Sequence, residues 1–455
     1  MIAHDLIDLG HQRRLHMLGI GGSGMRPFAR LLAAEGHSLS GGDSNPCPDL
    51  EAEGISIIDD SDVGLRGADV LSEGVEGLIH SAAVPLSHPA IKAARRRGVP
   101  VVKYARAVGF YARGKRTLAV AGTHGKTTTS AMLAYVLQRA GHDPSYLIGG
   151  QVDQLPSPGR GLSDLLAVEA CEYDRSFLHL APHIAIITNI EADHLDYYRD
   201  LVEITAAFQA FATQVGRLLV LHENLRETIG RAGGVRARVR TFGPSPDADV
   251  RLLPMAGGVG MHVDGRDIKL QLPGFHNALN AAAVLCVAEE LGIERDVIAR
   301  ALSEFGGVGR RLQVVGRPRG IAVIDDYAHH PTEVAAGLRA LRDAYSPRRL
   351  WVVFQPHQFS RLRRFLPEFA DALSAADRVV VPPVFAARDA EEDRLSVSAA
   401  DLVHQVKRRG GDAVHLADFG RVVDFVSTQA RPGDVVVTMG AGDIGNVAGR
   451  LANAL

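Results

Sequence analysis

Leu118-Ala-Val-Ala-Gly122-Thr123-His124-Gly125-Lys126-Thr127-Thr128-Thr129 reads as an apolar strand, a glycine-rich turn and the opening of a helix. A phosphate cradle needs that order. Glycines let backbone N–H groups close on phosphate oxygens, the helix N-terminus adds the positive end of its dipole, Lys126 supplies a cation, and a threonine hydroxyl can reach a magnesium ion. The loop is a shortened G-x-x-G-K-T, because Val120 stands where the longer phosphate-loop pattern has its first glycine. Kinases, hydrolases and ligases all use such loops, so the surrounding residues must decide the reaction.

Outward from this loop, short apolar runs ending in Gly, Ser, Asp or Asn alternate with helical patterns along the whole chain, the signature of parallel sheets built from strand-helix-strand units. The fold class is α/β. Strands are expected at 15–20, 38–41, 77–81 and 99–103, then at 117–121, 165–170, 184–189 and 218–222, and finally at 321–325, 350–354, 378–381 and 435–439. Short extended pieces between 236 and 272 suggest an antiparallel extension ahead of a helix beginning near Asn277. With linkers at 111–115 and 305–312, three tandem domains follow: a Rossmann-like domain over 1–112, a P-loop ATPase-like domain over 113–312 and a second Rossmann-like domain over 313–455. A length of 455 residues exceeds what one hydrophobic core usually spans, which agrees with three.

Composition narrows the function by exclusion. The 46% hydrophobic and 22% charged content is that of an ordinary globular protein. A formal net charge of −2 gives no basic surplus for a nucleic-acid backbone, and Arg95-Arg96-Arg97 reads as the solvated end of a helix. Three scattered cysteines, Cys47, Cys171 and Cys286, form neither a disulfide framework nor a cysteine zinc site. No apolar stretch reaches a membrane span and residues 1–10 lack a basic flank with an apolar core, so no membrane partner and a cytoplasmic location are expected.

Further candidates sit at strand ends, where parallel sheets bind ligands. Glu169 closes one strand of the central region and His194 follows the next, so Thr127, Glu169 and His194 are a candidate magnesium set; magnesium prefers oxygen, which favours Glu169 over a direct imidazole bond. His276, Asn277 and Asn280 surround a helix start, where amides either bond an adenine edge or cap the helix. Gly19-Ile-Gly21-Gly22-Ser-Gly24 with Asp43 is nearly the dinucleotide fingerprint and, by itself, equally supports an NAD-dependent dehydrogenase.

Gly122-Thr-His-Gly-Lys-Thr-Thr, Thr188-Asn-Ile-Glu-Ala-Asp-His194, His276-Asn-x-x-Asn280, Arg310-Arg311 and Asp325-Asp-Tyr-Ala-His-His-Pro-Thr-Glu333 occur in this order. Together they resemble the Mur ligase family over essentially the whole chain, closest to its alanine-adding member. The resemblance implies an ATP-dependent ligation through an acyl phosphate, joining L-alanine to the lactyl carboxylate of UDP-N-acetylmuramate, with Mg2+. It implies that Gly122 to Thr128 cradle ATP, Lys126 holds the transferring phosphate, Glu169 and His194 organise magnesium, and Asn277 and Asn280 lie by the adenine. Arg311 and Asp326 contact nucleotide or substrate as the third domain closes. Gly19, Gly21, Gly22, Gly24 and Asp43, with His80 and Ser81, hold the uridine diphosphate, while His330, His357 and Arg361 face the substrate. The base that accepts the amine proton stays open between His330 and Asp326. No lysine lies near His194, the next being Lys269, so the carbamylated lysine of some relatives is not expected. Gln358 stands where the family usually has arginine, and either Arg361 suffices or Arg175 substitutes. The rival within the family attaches an intact tripeptide to the same sugar.

Overall fold

The structure is a computed structural model describing residues 6–60, 71–255, 260–387, 389 and 391–455. Three sheets carry it. The first has five parallel strands, β1 (Arg14–Leu18), β2 (Ser38–Asp43), β3 (Ser56–Asp59), β4 (Gly77–His80) and β5 (Val101–Lys103), in the order β3-β2-β1-β4-β5. The order reverses between β1 and β4, so the turn after Leu18 and the end of β4 at His80 open onto one crevice.

The second sheet is built from β6 (Arg116–Ala121), β7 (Ser145–Leu147), β8 (Leu165–Glu169), β9 (Ile184–Ile187), β10 (Leu218–His222) and β11 (Arg238–Gly243), all parallel, in the order β7-β8-β6-β9-β10-β11. Strand β6 therefore feeds its loop between the ends of β8 and β9. The helix that follows, Lys126–Arg139, is buried from Thr127 to Leu137 on nearly every side. That explains why the run from Ala131 to Leu137 is apolar on every face. The antiparallel expectation for 236–272 needs correction: β11 lies parallel to β10, and β12 (Val250–Pro254) meets β11 in parallel through Val250 and Arg251. Only Leu252 to Pro254 with β13 (Gly260–Val263) and β14 (Arg266–Lys269) form an antiparallel meander; residues 256–259 of that stretch lie outside the described ones.

By contact density the chain divides into two bodies, 1–251 with 280–301, and 252–279 with 302–455. The second holds a six-stranded sheet of β15 (Gln313–Gly316), β16 (Ala322–Asp326), β17 (Leu350–Phe354), β18 (Arg378–Val381), β19 (Ala413–His415) and β20 (Val435–Met439), ordered β15-β16-β20-β17-β18-β19. All neighbours are parallel except β15 on β16. Leu350, Val352 and Phe354 pack into one layer of core, and Trp351 and Val353 into the other. Burial on both faces is why these strands read as unbroken apolar runs. Among the described residues no helix is long and apolar enough to cross a membrane.

Candidate functional site

Gly125 has φ of +81° and caps the helix Lys126–Arg139, and a Cβ there would come within 2.7 Å of Asn280 Oδ1, so only glycine passes. The loop is braced from the end of β9. His124 N donates to Asn189 Oδ1 at 2.8 Å, Asn189 Nδ2 donates back to His124 O at 3.0 Å, and Thr188 Oγ1 donates to the same carbonyl at 2.7 Å. Thr123 Oγ1 accepts Glu191 N at 2.9 Å. These bonds hold the turn open in the shape its glycines permit.

The side chain of Lys126 is 12% exposed, and its Nζ donates to Gly122 O at 2.6 Å, Thr123 O at 3.0 Å and Glu172 Oε1 at 3.1 Å. Burial alone would lower its pKa, but the neighbouring carboxylate of Glu172 outweighs it and raises the value, so the ammonium stays charged. Thr127 Oγ1 donates to Glu169 Oε1 at 3.0 Å, and Gly149 N donates to Glu169 Oε2 at 2.9 Å. His194 has φ of +52°, and its Nε2 lies 3.7 Å from Glu172 Oε1. The structure thus joins Thr127 to Glu169, and Lys126 and His194 to Glu172. For a hard divalent cation the Thr127 and Glu169 oxygens, side by side at the end of β8, are a fitting donor pair.

In the first sheet, Asp43 Oδ2 accepts Gly21 N at 2.8 Å and its Oδ1 accepts Asn45 N at 2.9 Å. A Cβ on Gly21 would lie 2.9 Å from that Oδ2. The carboxylate that would grip a ribose in a dinucleotide site is here turned inward as a brace for the glycine-rich turn. His80 is buried, and burial lowers its pKa, so it is neutral at physiological pH. Its Nδ1 lies 3.0 Å from Ser81 O, and Ser81 Oγ accepts Ala83 N at 3.3 Å. A cavity of about 700 Å3 lies between the helix Met25–Ala34 and the loop after β7, lined by Ser23, Arg26, Tyr146, Gly149, Val152 and Pro158.

In the second body, the side chain of Tyr327 lies between two guanidinium groups, Arg310 and Arg311, each 5.0 Å from its ring. Arg310 Nε also donates to Asp325 Oδ2 at 3.1 Å and its Nη2 to Gly440 O at 2.7 Å. Asp326 is buried; burial pushes its pKa up to about 7, Arg311 pulls against that, and Glu333 adds to it. His330 caps the helix Pro331–Tyr345, its Nδ1 accepting Thr332 N at 3.4 Å while Glu333 closes the capping box. Asn277 Nδ2 donates to Pro273 O at 2.8 Å. His357 stacks on Phe385 at 5.4 Å, and Arg361 Nη1 lies 3.4 Å from His357 Nδ1. Gln355 Nε2 donates to Asp443 Oδ1 at 2.7 Å and its Oε1 accepts Ile444 N at 3.1 Å, tying the ends of β17 and β20 together. Arg175, the substitute cation considered for Gln358, donates to Glu203 Oε1 at 2.8 Å.

Three family models cover the chain in sequence: the Mur ligase family catalytic domain over 14–116, the Mur ligase middle domain over 120–288, and the Mur ligase glutamate ligase domain over 310–442. The chain belongs to the Mur ligase family. It is similar to the UDP-N-acetylmuramate--L-alanine ligase of Kineococcus radiotolerans, 42% identical with 97% of this chain and 96% of that protein covered. It is likewise similar to that of Paenarthrobacter aurescens, at 41% with 95% and 94% covered. The crystal structure of the UDP-N-acetylmuramate-alanine ligase of Thermotoga maritima matches with a TM-score of 0.80 and 28% identity, covering 97% of this chain and 99% of that one.

Two features of this Mur ligase escaped the sequence reading. Glu172 is absent from the candidate residues above, because it lies past the end of β8 in a short polar stretch where no pattern marks a ligand. The loop after β7 carries no motif, yet its Gly149 N–H orients Glu169. The pair Gly149-Gly150 was its one local signal of close backbone approach.

Proposed function

We propose that this Mur ligase joins L-alanine to the lactyl carboxylate of UDP-N-acetylmuramate, consuming ATP and forming an acyl phosphate on the way. The observation that carries the reading is full-length similarity to proteins of that name, with a braced phosphate loop whose lysine is held charged by Glu172. Domain boundaries at 1–112, 113–312 and 313–455 go with it.

In this reading Gly122, Thr123, His124, Gly125, Thr127 and Thr128 cradle the nucleotide phosphates with backbone N–H groups, and Lys126 neutralises charge on the group in transfer. Thr127 and Glu169 hold Mg2+ with His194 close by, and when bound the ion neutralises phosphate charge. Asn280 beside Gly125 faces the nucleotide. The turn Gly19 to Gly24, with His80 and Ser81, binds the uridine diphosphate through N–H donors, while Asp43 acts on it only through Gly21. His357 and Arg361 receive the substrate's anionic groups. Asp326, poised near neutrality, is a better acceptor for the amine proton than His330, whose Nδ1 already serves the helix cap. The reaction belongs in the cytoplasm, where both substrates are soluble.

The deciding measurement is ADP release with UDP-N-acetylmuramate and each of L-alanine, glycine, L-serine and L-alanyl-γ-D-glutamyl-diaminopimelate. L-Alanine should lead, with glycine and L-serine weaker, since a methylene-sized difference discriminates by about 1–3 kcal/mol. A higher kcat/KM for the tripeptide would keep the family and overturn the named reaction. Turnover supported by NAD in place of ATP would overturn both.

A further inference from the structure

An ammonium has three N–H donors, and Lys126 has three partners for them: Gly122 O, Thr123 O and Glu172. A phosphate bound in the loop needs the same ammonium. One partner must then be given up. The two carbonyls belong to the loop backbone and cannot leave, whereas Glu172 reaches in from the turn after β8 on a side chain.

Glu172 is built to let go. Its side chain is 3% exposed, and its Oε2 lies 2.9 Å from Lys126 Nζ but accepts no well-directed hydrogen bond among the described residues. A purely structural buried ion pair normally has its remaining lone pairs satisfied. The backbone of Glu172 is fixed independently, since its carbonyl accepts Tyr198 Oη at 2.6 Å. An alternative partner waits on the other side, with His194 Nε2 at 3.7 Å from Oε1.

We propose that Glu172 is a positioning residue that competes with the terminal phosphates of the nucleotide for Lys126, holding the ammonium until phosphate arrives and then yielding it. The inference rests on reading Gly122 to Thr128 as the nucleotide-phosphate loop. Its consequence is that the exchange weakens ATP and ADP alike. It leaves a nucleotide without β- and γ-phosphates untouched, and it favours departure of the product ADP.

The test is equilibrium binding of ATP, ADP and AMP to the full chain in EDTA, and of ATP again with Mg2+. It compares the wild type, Glu172→Gln, Glu172→Asp, Lys126→Gln and the double variant Glu172→Gln/Lys126→Gln. Glu172→Gln should bind ATP and ADP on the order of tenfold tighter, the factor corresponding to one charge-assisted hydrogen bond, with AMP unchanged. The gain should disappear in the Lys126→Gln background, as a double-mutant cycle requires of a direct competition. Glu172→Asp, whose shorter carboxylate falls back from Nζ, should move the same way and serves if the glutamine variant does not fold. Unchanged ATP affinity, equal tightening of AMP, or tightening that survives Lys126→Gln would each overturn the proposal. So would weaker ATP binding seen only with Mg2+, which would make Glu172 a metal ligand. A wild type that binds ATP under neither condition would instead sink the phosphate-loop reading itself.

Discussion

Asp326→Asn should stabilise the second body at neutral and alkaline pH, and by less in acid. Asp326 ends β16 at 6% exposure, and its pKa stands at about 7 against an ordinary 3.8, chiefly through burial, with Arg311 opposing and Glu333 reinforcing. Between those two values the folded chain keeps a proton that the unfolded chain has released. Stability therefore falls as pH rises from 3.8 to 7 and stays low above that. Three units at about 1.4 kcal/mol each set the full cost near 4 kcal/mol, and the part developed between pH 5 and pH 8 is roughly 2–3 kcal/mol. Asparagine matches the protonated acid in shape, keeps an acceptor for the Ala328 N–H, and has no charge to bury. The single tryptophan, Trp351, lies fully buried in β17 of the same sheet and reports this unfolding directly. Urea midpoints followed by its fluorescence at pH 5, 6, 7 and 8 should show the variant pulling ahead of the wild type by that 2–3 kcal/mol while ADP release is lost. A gap constant to within about 0.5 kcal/mol over the range would refute the assignment of a buried, proton-holding carboxyl.

Lys126→Ala and Glu169→Ala should each cut kcat for ADP formation by about 10^2–10^3-fold, the usual value of one electrostatic contact to the transferred group, with the far-UV circular dichroism spectrum retained. Gly125→Ala places a β-carbon 2.7 Å from Asn280 Oδ1 at φ of +81°, so Tm should drop by an amount equivalent to about 1–2 kcal/mol and the KM for ATP should rise. Asp434 is 1% exposed and accepts Arg349 Nη2 at 2.7 Å, Arg431 N at 2.9 Å and Trp351 Nε1 at 3.1 Å. Burial would raise its pKa, but those donors outweigh it and hold it below the usual carboxylate range. Its contribution is therefore full above the unfolded pKa and is lost as pH falls through the folded one; Asp434→Asn should cost about 2–3 kcal/mol at pH 7 in urea unfolding and progressively less in acid.

Local sequence carried the parts of this molecule whose physics is local. Strands buried on both faces must be apolar throughout, so β6, β8, β17, β18 and β20 announce themselves. A strand, two glycines, a lysine and a helix are enough to specify an anion cradle, because its donors are backbone groups of consecutive residues. The edges were harder to read. β3, β7, β15 and β19, of three or four residues each, bury little and lie at or near sheet margins, and nothing in 238–243 tells whether that strand runs parallel or antiparallel to its neighbour. Side-chain partnership at the site was settled by the fold alone. Glu169 and Glu172 are three residues apart in one polar stretch, yet the turn after β8 gives one to Thr127 and the other to Lys126. Asp43 matches a ribose-binding acid by spacing, yet its carboxylate is turned onto Gly21. Asn277 and Asn280 sit one helical turn apart, and one bonds Pro273 while the other lies against Gly125. A spacing determines which face of an element a residue occupies; which neighbour it meets there depends on chain segments tens of residues away, and only the packed tertiary structure brings those together.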